Sequence, residues 1–211
     1  MWIAGTKTEQ HWAVLSQQLQ THPTDALWQT AFDEFFMVRI QTRYLNPIAA
    51  IESLEKEDGE GFSIVALFCT LIEFLETCEQ GHNFRKGADR NLTAQTFEYG
   101  LSQGRGYFEH FLKTKEPFKT IFPEALVSSF YADVRCGLLH EARTQGGWVI
   151  STRLSDGHLV RKVGNKVRLY RNELKPAFDI YFADYRARLL ADVTGDLKRA
   201  FVRKFDHLAV P

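Results

Sequence analysis

Apolar residues recur every four positions in two long stretches of this chain. Trp28, Phe32, Phe36 and Ile40 do so within residues 25–44, and Leu126, Phe130, Val134 and Leu138 do so within residues 124–143. That spacing builds one face of a helix, so both stretches are predicted as core helices. Between them, residues 62–78 are apolar at nearly every position, with Glu73 and Glu76 the notable interruptions. No wet face separates from a dry one there, which places this helix in the middle of a bundle. A buried carboxylate at Glu73 needs a partner, whereas at the bundle rim it needs none. A short amphipathic stretch covers residues 9–19. Asn46-Pro47 reads as a cap followed by proline at the first helical position, opening a short helix that Asp58-Gly59 ends. Residues 80–104 carry Gly81, Gly87, Gly100 and Gly104 without a clean period and read as loop, broken by a helix over 94–101; helix resumes over 106–113.

After Gly146-Gly147 the period changes to two. Trp148, Ile150, Thr152 and Leu154 alternate with Val149, Ser151 and Arg153, and Ser155-Asp156-Gly157 supplies a turn. Residues 159–163, the Gly164-Asn165 turn and residues 166–170 extend this into an antiparallel hairpin or meander. Leu174, Phe178, Phe182, Tyr185 and Leu189 then return the chain to helix, and Gly195 separates a last basic amphipathic helix ending at His207. The predicted fold is mainly α: a helical bundle over 24–145, a small antiparallel β region over 147–171 and C-terminal helices over 173–209, in a single domain spanning 1–211.

A chain of 211 residues, 45% hydrophobic and 25% charged, can bury a core, which excludes disorder, collagen-like repeats and a disulfide scaffold. The longest apolar stretch free of charge, Phe62 to Ile72, is short for a bilayer, and the N-terminus lacks the pattern of a signal peptide. The expected location is the cytoplasm, with no membrane partner. Cys69, Cys78 and Cys136 lie in helical segments and form no pairwise framework, which suits a reducing compartment. Net charge is zero, so no overall field draws the chain to nucleic acid. Residues 1–150 hold 13 Lys and Arg against 19 Asp and Glu, whereas residues 151–211 hold 13 against 7, so a polyanion favours the C-terminal third.

Several familiar motifs are incomplete. Gly104-Arg105-Gly106 lacks the further glycine, strand and lysine of a phosphate loop and reads as a helix entry. Cys78 and His82 have a spacing a metal can use but no second pair nearby, so no metal is expected. What remains is Tyr131-Ala-Asp-Val-Arg135-Cys136-Gly-Leu-Leu-His140-Glu141-Ala142. Arg135 brings a permanent charge with forked donors suited to phosphate, and His140 can take and return a proton near neutral pH. Five residues apart on a helix, the two stand about 140° from each other. Cys136 and Leu139 lie between them, away from the apolar stripe, on an arc that a twofold partner would bury. The alternative roles are structural: His140 hydrogen-bonded within the bundle, and Arg135 paired with Glu73, Asp133 or Glu141.

Arg135-x4-His140 on a late helix, within Asp-Val-Arg-Cys-Gly-Leu-Leu-His-Glu-Ala, resembles the HEPN superfamily, whose hallmark is Arg, four to six residues, then His. The resemblance covers chiefly residues 24–145. It implies an up-and-down helical bundle, homodimerisation through the motif helix and, in active members, metal-independent endoribonuclease activity at a composite dimer site without a cofactor. Arg135 would bind phosphate and His140 would be the catalytic histidine, with Glu73, Cys136 and Glu141 in support. Arg161, Lys162, Lys166 and Arg168 would guide RNA to the groove. Cys136 stands where many active members have a polar residue. Two other readings stay open: a non-catalytic nucleotide- or RNA-binding module with an antitoxin or defence partner, and a scaffold that uses the motif helix only to dimerise.

Overall fold

The computed structural model of the chain describes residues 1–54, 59–87, 97–152 and 157–210, and it is mainly helical with small sheets. Its packing forms two compact units. The first comprises residues 1–47, 77–103 and 185–211, the second residues 48–76 and 104–184, and the long helices Glu60–Gln80 and Leu174–Ala191 contribute residues to each.

In the first unit a short antiparallel pair, Trp2–Ala4 with Lys7–Thr8, leads into helix Glu9–Thr21. The next helix begins at Asp25–Thr30 and contains two π-helical stretches, Ala31–Met37 and Gln41–Leu45. Residues repeated every four positions drift by about 40° per repeat around an α-helix. The wider turns take up that drift, so Trp28, Phe32, Phe36 and Ile40 all stay buried. They meet Tyr185 and Phe201 in an aromatic core, with Phe36 5.3 Å from Tyr185 and 6.1 Å from Phe201. Asn46-Pro47 does not break this helix as expected. Asn46 is helical, its N–H donates to the Gln41 carbonyl across a π turn, and helix continues as Asn46–Glu52. Two sets of part-buried polar contacts tie down the C-terminal helices. Trp12 Nε1 and Ser16 Oγ donate to Asp206 of helix Asp196–Leu208, and Arg188 forms a fork with the buried Glu79 carboxylate at 2.7 and 2.8 Å.

The helix expected over 94–101 is absent from its described part. Residues 94–96 lie outside the described residues, Glu98–Tyr99 is a strand paired in parallel with Asn83–Phe84, and Leu101–Gln103 is a single 3₁₀ turn. The backbone reason is visible: Asn83 N–H donates to Phe97 O and Arg85 N–H to Tyr99 O, so this stretch closes its hydrogen bonds across chain rather than along it.

The second unit is built around residues 60–76 of helix Glu60–Gln80. This helix is 21 residues long and apolar enough to cross a membrane by length and composition, which the charge-free stretch 62–72 understated. Its apolar side chains serve as core instead: Ile64, Val65, Phe68, Leu71, Ile72 and Leu75 are buried in the protein. Phe68 stacks on Phe178 of helix Leu174–Ala191 at 4.9 Å, beside Phe111 and Phe118. Helix Gly104–Thr114 begins at the expected glycine pair, and a continuous helix runs through Glu124–Ser129, the π-helical Phe130–Arg135 and Cys136–Glu141.

The sheet that follows corrects the expected strand order. Val160–Val163 and Lys166–Tyr170 form the antiparallel hairpin around Gly164-Asn165, but Trp148–Ser151 pairs in parallel with Lys166–Tyr170, giving a central third strand. The turn expected at 155–157 falls largely on residues 153–156, outside the described residues. Lys166–Tyr170 carries buried Val167, Leu169 and Tyr170 and takes the centre, where both neighbours cover it. Trp148 docks the sheet on the motif helix, 5.3 Å from Phe130, with its Nε1 donating to Ser129 Oγ.

Candidate functional site

Arg135 closes the π-helical segment of the motif helix, where the Cys136 N–H donates back to the Tyr131 carbonyl. The π turn aligns the apolar positions again: Val127, Phe130, Val134 and Leu138 are buried, while Leu126 is half-buried. Helix ends at Glu141 because Ala142 adopts the left-handed conformation at φ 50°, and its N–H donates to the Gly137 carbonyl. The expected stop at Gly146-Gly147 therefore comes four residues late. The chain then folds back tightly, with Gln145 N–H donating to Asp133 O at 2.8 Å.

Of the three carboxylates named above as partners for Arg135, the structure selects Glu73, with Nη2 3.8 Å from Oε2. This exceeds hydrogen-bond reach. Glu73 itself lies against Gly104 at the start of helix Gly104–Thr114, where a Cβ would come within 3.1 Å of its Oε2. The Arg135 guanidinium also stands over the Tyr131 ring, 5.4 Å from its centre, and a second guanidinium, that of Arg105, stands 5.7 Å from the same centre. Arg105 donates through Nε to Glu109 at 2.7 Å, and Glu109 accepts from Ser128 and pairs with Lys113 as well. Burial raises the Glu109 carboxyl, but the bonds from Arg105 and Ser128 and the charges of Arg105 and Lys113 outweigh it and hold it below its ordinary value. Burial pushes the Tyr131 hydroxyl above its ordinary value, and Arg135 opposes the rise.

His140 is exposed and makes no hydrogen bond to a described residue. Leu139 beside it is 62% exposed, Cys136 is half-buried and Glu141 is exposed without an ion pair to a described residue. Arg135 and His140 thus flank an outward arc at the end of one helix. In the sheet, register sets Arg161 opposite Arg168 and Val163 opposite Lys166 on one face, whereas Lys162 lies opposite buried Val167 in the other row. Arg161, Lys166 and Arg168 share a face, and Lys162 does not.

Two polar arrangements escaped sequence reasoning. One is the Arg105–Tyr131–Arg135 cluster, for which the only local signal was the Arg105, Glu109 spacing of four. The other is Glu76, fully buried, whose carboxylate accepts from His110 Nδ1 at 2.7 Å and lies 3.5 Å from the Lys115 ammonium. Burial, with the neighbouring Glu76 and Glu73 charges, raises the nearby Tyr107 hydroxyl to about 12. Cys78 is fully buried, and burial pushes its thiol up to about 12. Comparison of the chain with protein-family models, with curated proteins and with solved structures found no match.

Proposed function

We propose that this chain is a HEPN-like, metal-independent endoribonuclease of the cytoplasm, acting as a homodimer through its motif helix. The observation that carries the reading is the pairing, at one helix end, of an exposed imidazole at His140 with a loosely held guanidinium at Arg135, flanking an exposed Leu139. A twofold partner presenting the same arc would bury Leu139 and bring two such pairs into one groove. In that groove a ribose 2′-oxygen attacks the adjacent phosphorus as the bond to the 5′-oxygen breaks. His140 takes the 2′-hydroxyl proton, a protonated imidazole supplies one to the leaving 5′-oxygen, and Arg135 stabilises the charge that builds on the phosphorane. The products are a 2′,3′-cyclic phosphate and a 5′-hydroxyl.

The test is RNA cleavage in EDTA by the wild type and by Arg135→Ala and His140→Ala. Both variants should keep the wild-type fold, since neither side chain is in the buried stripe, and both should lose cleavage. One observation favours a second reading, RNA binding without cleavage: no described residue hydrogen-bonds His140 to fix its tautomer. Wild-type protein that binds RNA, loses that binding with Arg135→Ala and never cuts would select it.

A further inference from the structure

The Arg105–Tyr131–Arg135 cluster lies within the second unit and on the same helix as the proposed catalytic pair. Glu109 and Glu73 face it, yet three cations, Arg105, Lys113 and Arg135, face those two carboxylates. The cluster therefore holds a surplus positive charge. Among the described residues, its two guanidiniums are also incompletely used. Arg105 engages Glu109 through Nε, which leaves the terminal nitrogens of its fork for another acceptor, and its side chain is 54% exposed. Arg135 is held by a 3.8 Å contact that a phosphate oxygen in direct hydrogen bond would displace. Both guanidiniums stand over one ring at 5.7 and 5.4 Å from its centre, so they lie no farther apart than those two reaches laid end to end. Two forked donors within that span suit two phosphates of one strand. Tyr131, in T-shaped contact with Phe108 at 5.3 Å between ring centres, sets their spacing.

We infer that Arg105 and Arg135, spaced by Tyr131, form a subsite for single-stranded RNA in which the two arginines hold two phosphates of one strand. This rests on the RNA reading above and adds Arg105 as a binding residue and Tyr131 as a positioning residue. Flexible single strands can present phosphates and an unstacked base to such a cluster, which a continuous duplex cannot.

The experiment measures binding of a 2′-O-methyl oligouridylate, which cannot be cut by 2′-hydroxyl attack, across a salt series, with far-UV circular dichroism and urea midpoints as fold controls. Arg105→Ala should bind about tenfold more weakly at low salt and flatten the slope of log K against log salt by about 0.7, the value of one single-strand phosphate contact. Tyr131→Leu should weaken binding, and Tyr131→Phe, which keeps the ring, should restore it. Glu109→Gln, which releases Arg105 from its ion pair, should bind at least as tightly as the wild type. If Arg105 acted only by holding Glu109, Glu109→Gln would lose binding as Arg105→Ala does, and the inference would fall. Arg105→Ala with unchanged affinity and slope, beside an Arg135→Ala that loses both, would overturn the subsite and leave the RNA reading standing. Unchanged binding in both variants would sink the two together.

Discussion

Gly137 and Gly106 are both helical glycines, and the same substitution by alanine is expected to move stability in opposite directions. At Gly106 a Cβ would meet nothing within 4 Å, so Gly106→Ala gains the helix propensity that glycine forgoes, about 0.5–1 kcal/mol. At Gly137, between Arg135 and His140, a Cβ would stand 2.6 Å from the backbone carbonyl oxygen of Arg143. No rotamer relieves a contact with backbone, so the return loop must move. The propensity gain of about 1 kcal/mol is set against about 1–3 kcal/mol for overpacking. Loosening the Gln145-to-Asp133 backbone bond costs roughly 1 kcal/mol more. Gly137→Ala should therefore destabilise by about 1–3 kcal/mol. Urea unfolding followed by circular dichroism reads both variants, and their midpoints should shift to opposite sides of the wild type at unchanged slope. A Gly137→Ala protein as stable as Gly106→Ala would refute the claim that the loop seals against this face of the motif helix.

Trp148→Ala removes a 4%-exposed indole packed on Phe122 and Phe130, and should cost about 3–5 kcal/mol in the same assay. Burial, with Arg203 and Lys204, holds the His82 imidazole below its ordinary value. The unfolded chain therefore binds that proton first, and stability should fall as pH drops below about 6.5 and level off once the folded imidazole titrates. His82→Gln should remove that part of the slope in unfolding measured from pH 8 to 5. Alkylation of the native protein with iodoacetamide should mark Cys136 first by mass spectrometry, because Cys69 and Cys78 are buried and burial pushes both thiols up to about 12. Leu139→Asp should convert a dimer to a folded monomer in sedimentation; a wild type that is already monomeric at micromolar concentration would remove the composite groove.

The helices were legible because their stripes are strict. Trp28 to Ile40 and Phe130 to Leu138 repeat every four residues, and that regularity, tighter than an α-helix needs, is what the π turns accommodate. The turns themselves were invisible, since an i to i+5 bond leaves no residue signature of its own. The hairpin at Gly164-Asn165 was readable from a local turn, whereas the partner of Trp148–Ser151 was settled by which strand most needed cover. The same divide runs through the site. Arg135 and His140 sit on one helix and could be read together, and Glu73 was among the carboxylates considered. Arg105 reaches Tyr131 only because two helices distant in sequence pack side by side, and His110 reaches Glu76 for the same reason.

The most direct test of the proposed activity is the chemistry of the RNA ends left by the wild-type protein in EDTA. Cleavage fragments ending in 2′,3′-cyclic phosphate and beginning with 5′-hydroxyl, absent when His140→Ala replaces the wild type, are the predicted result. Fragments with 3′-hydroxyl and 5′-phosphate ends, or cleavage that His140→Ala leaves intact, would contradict it.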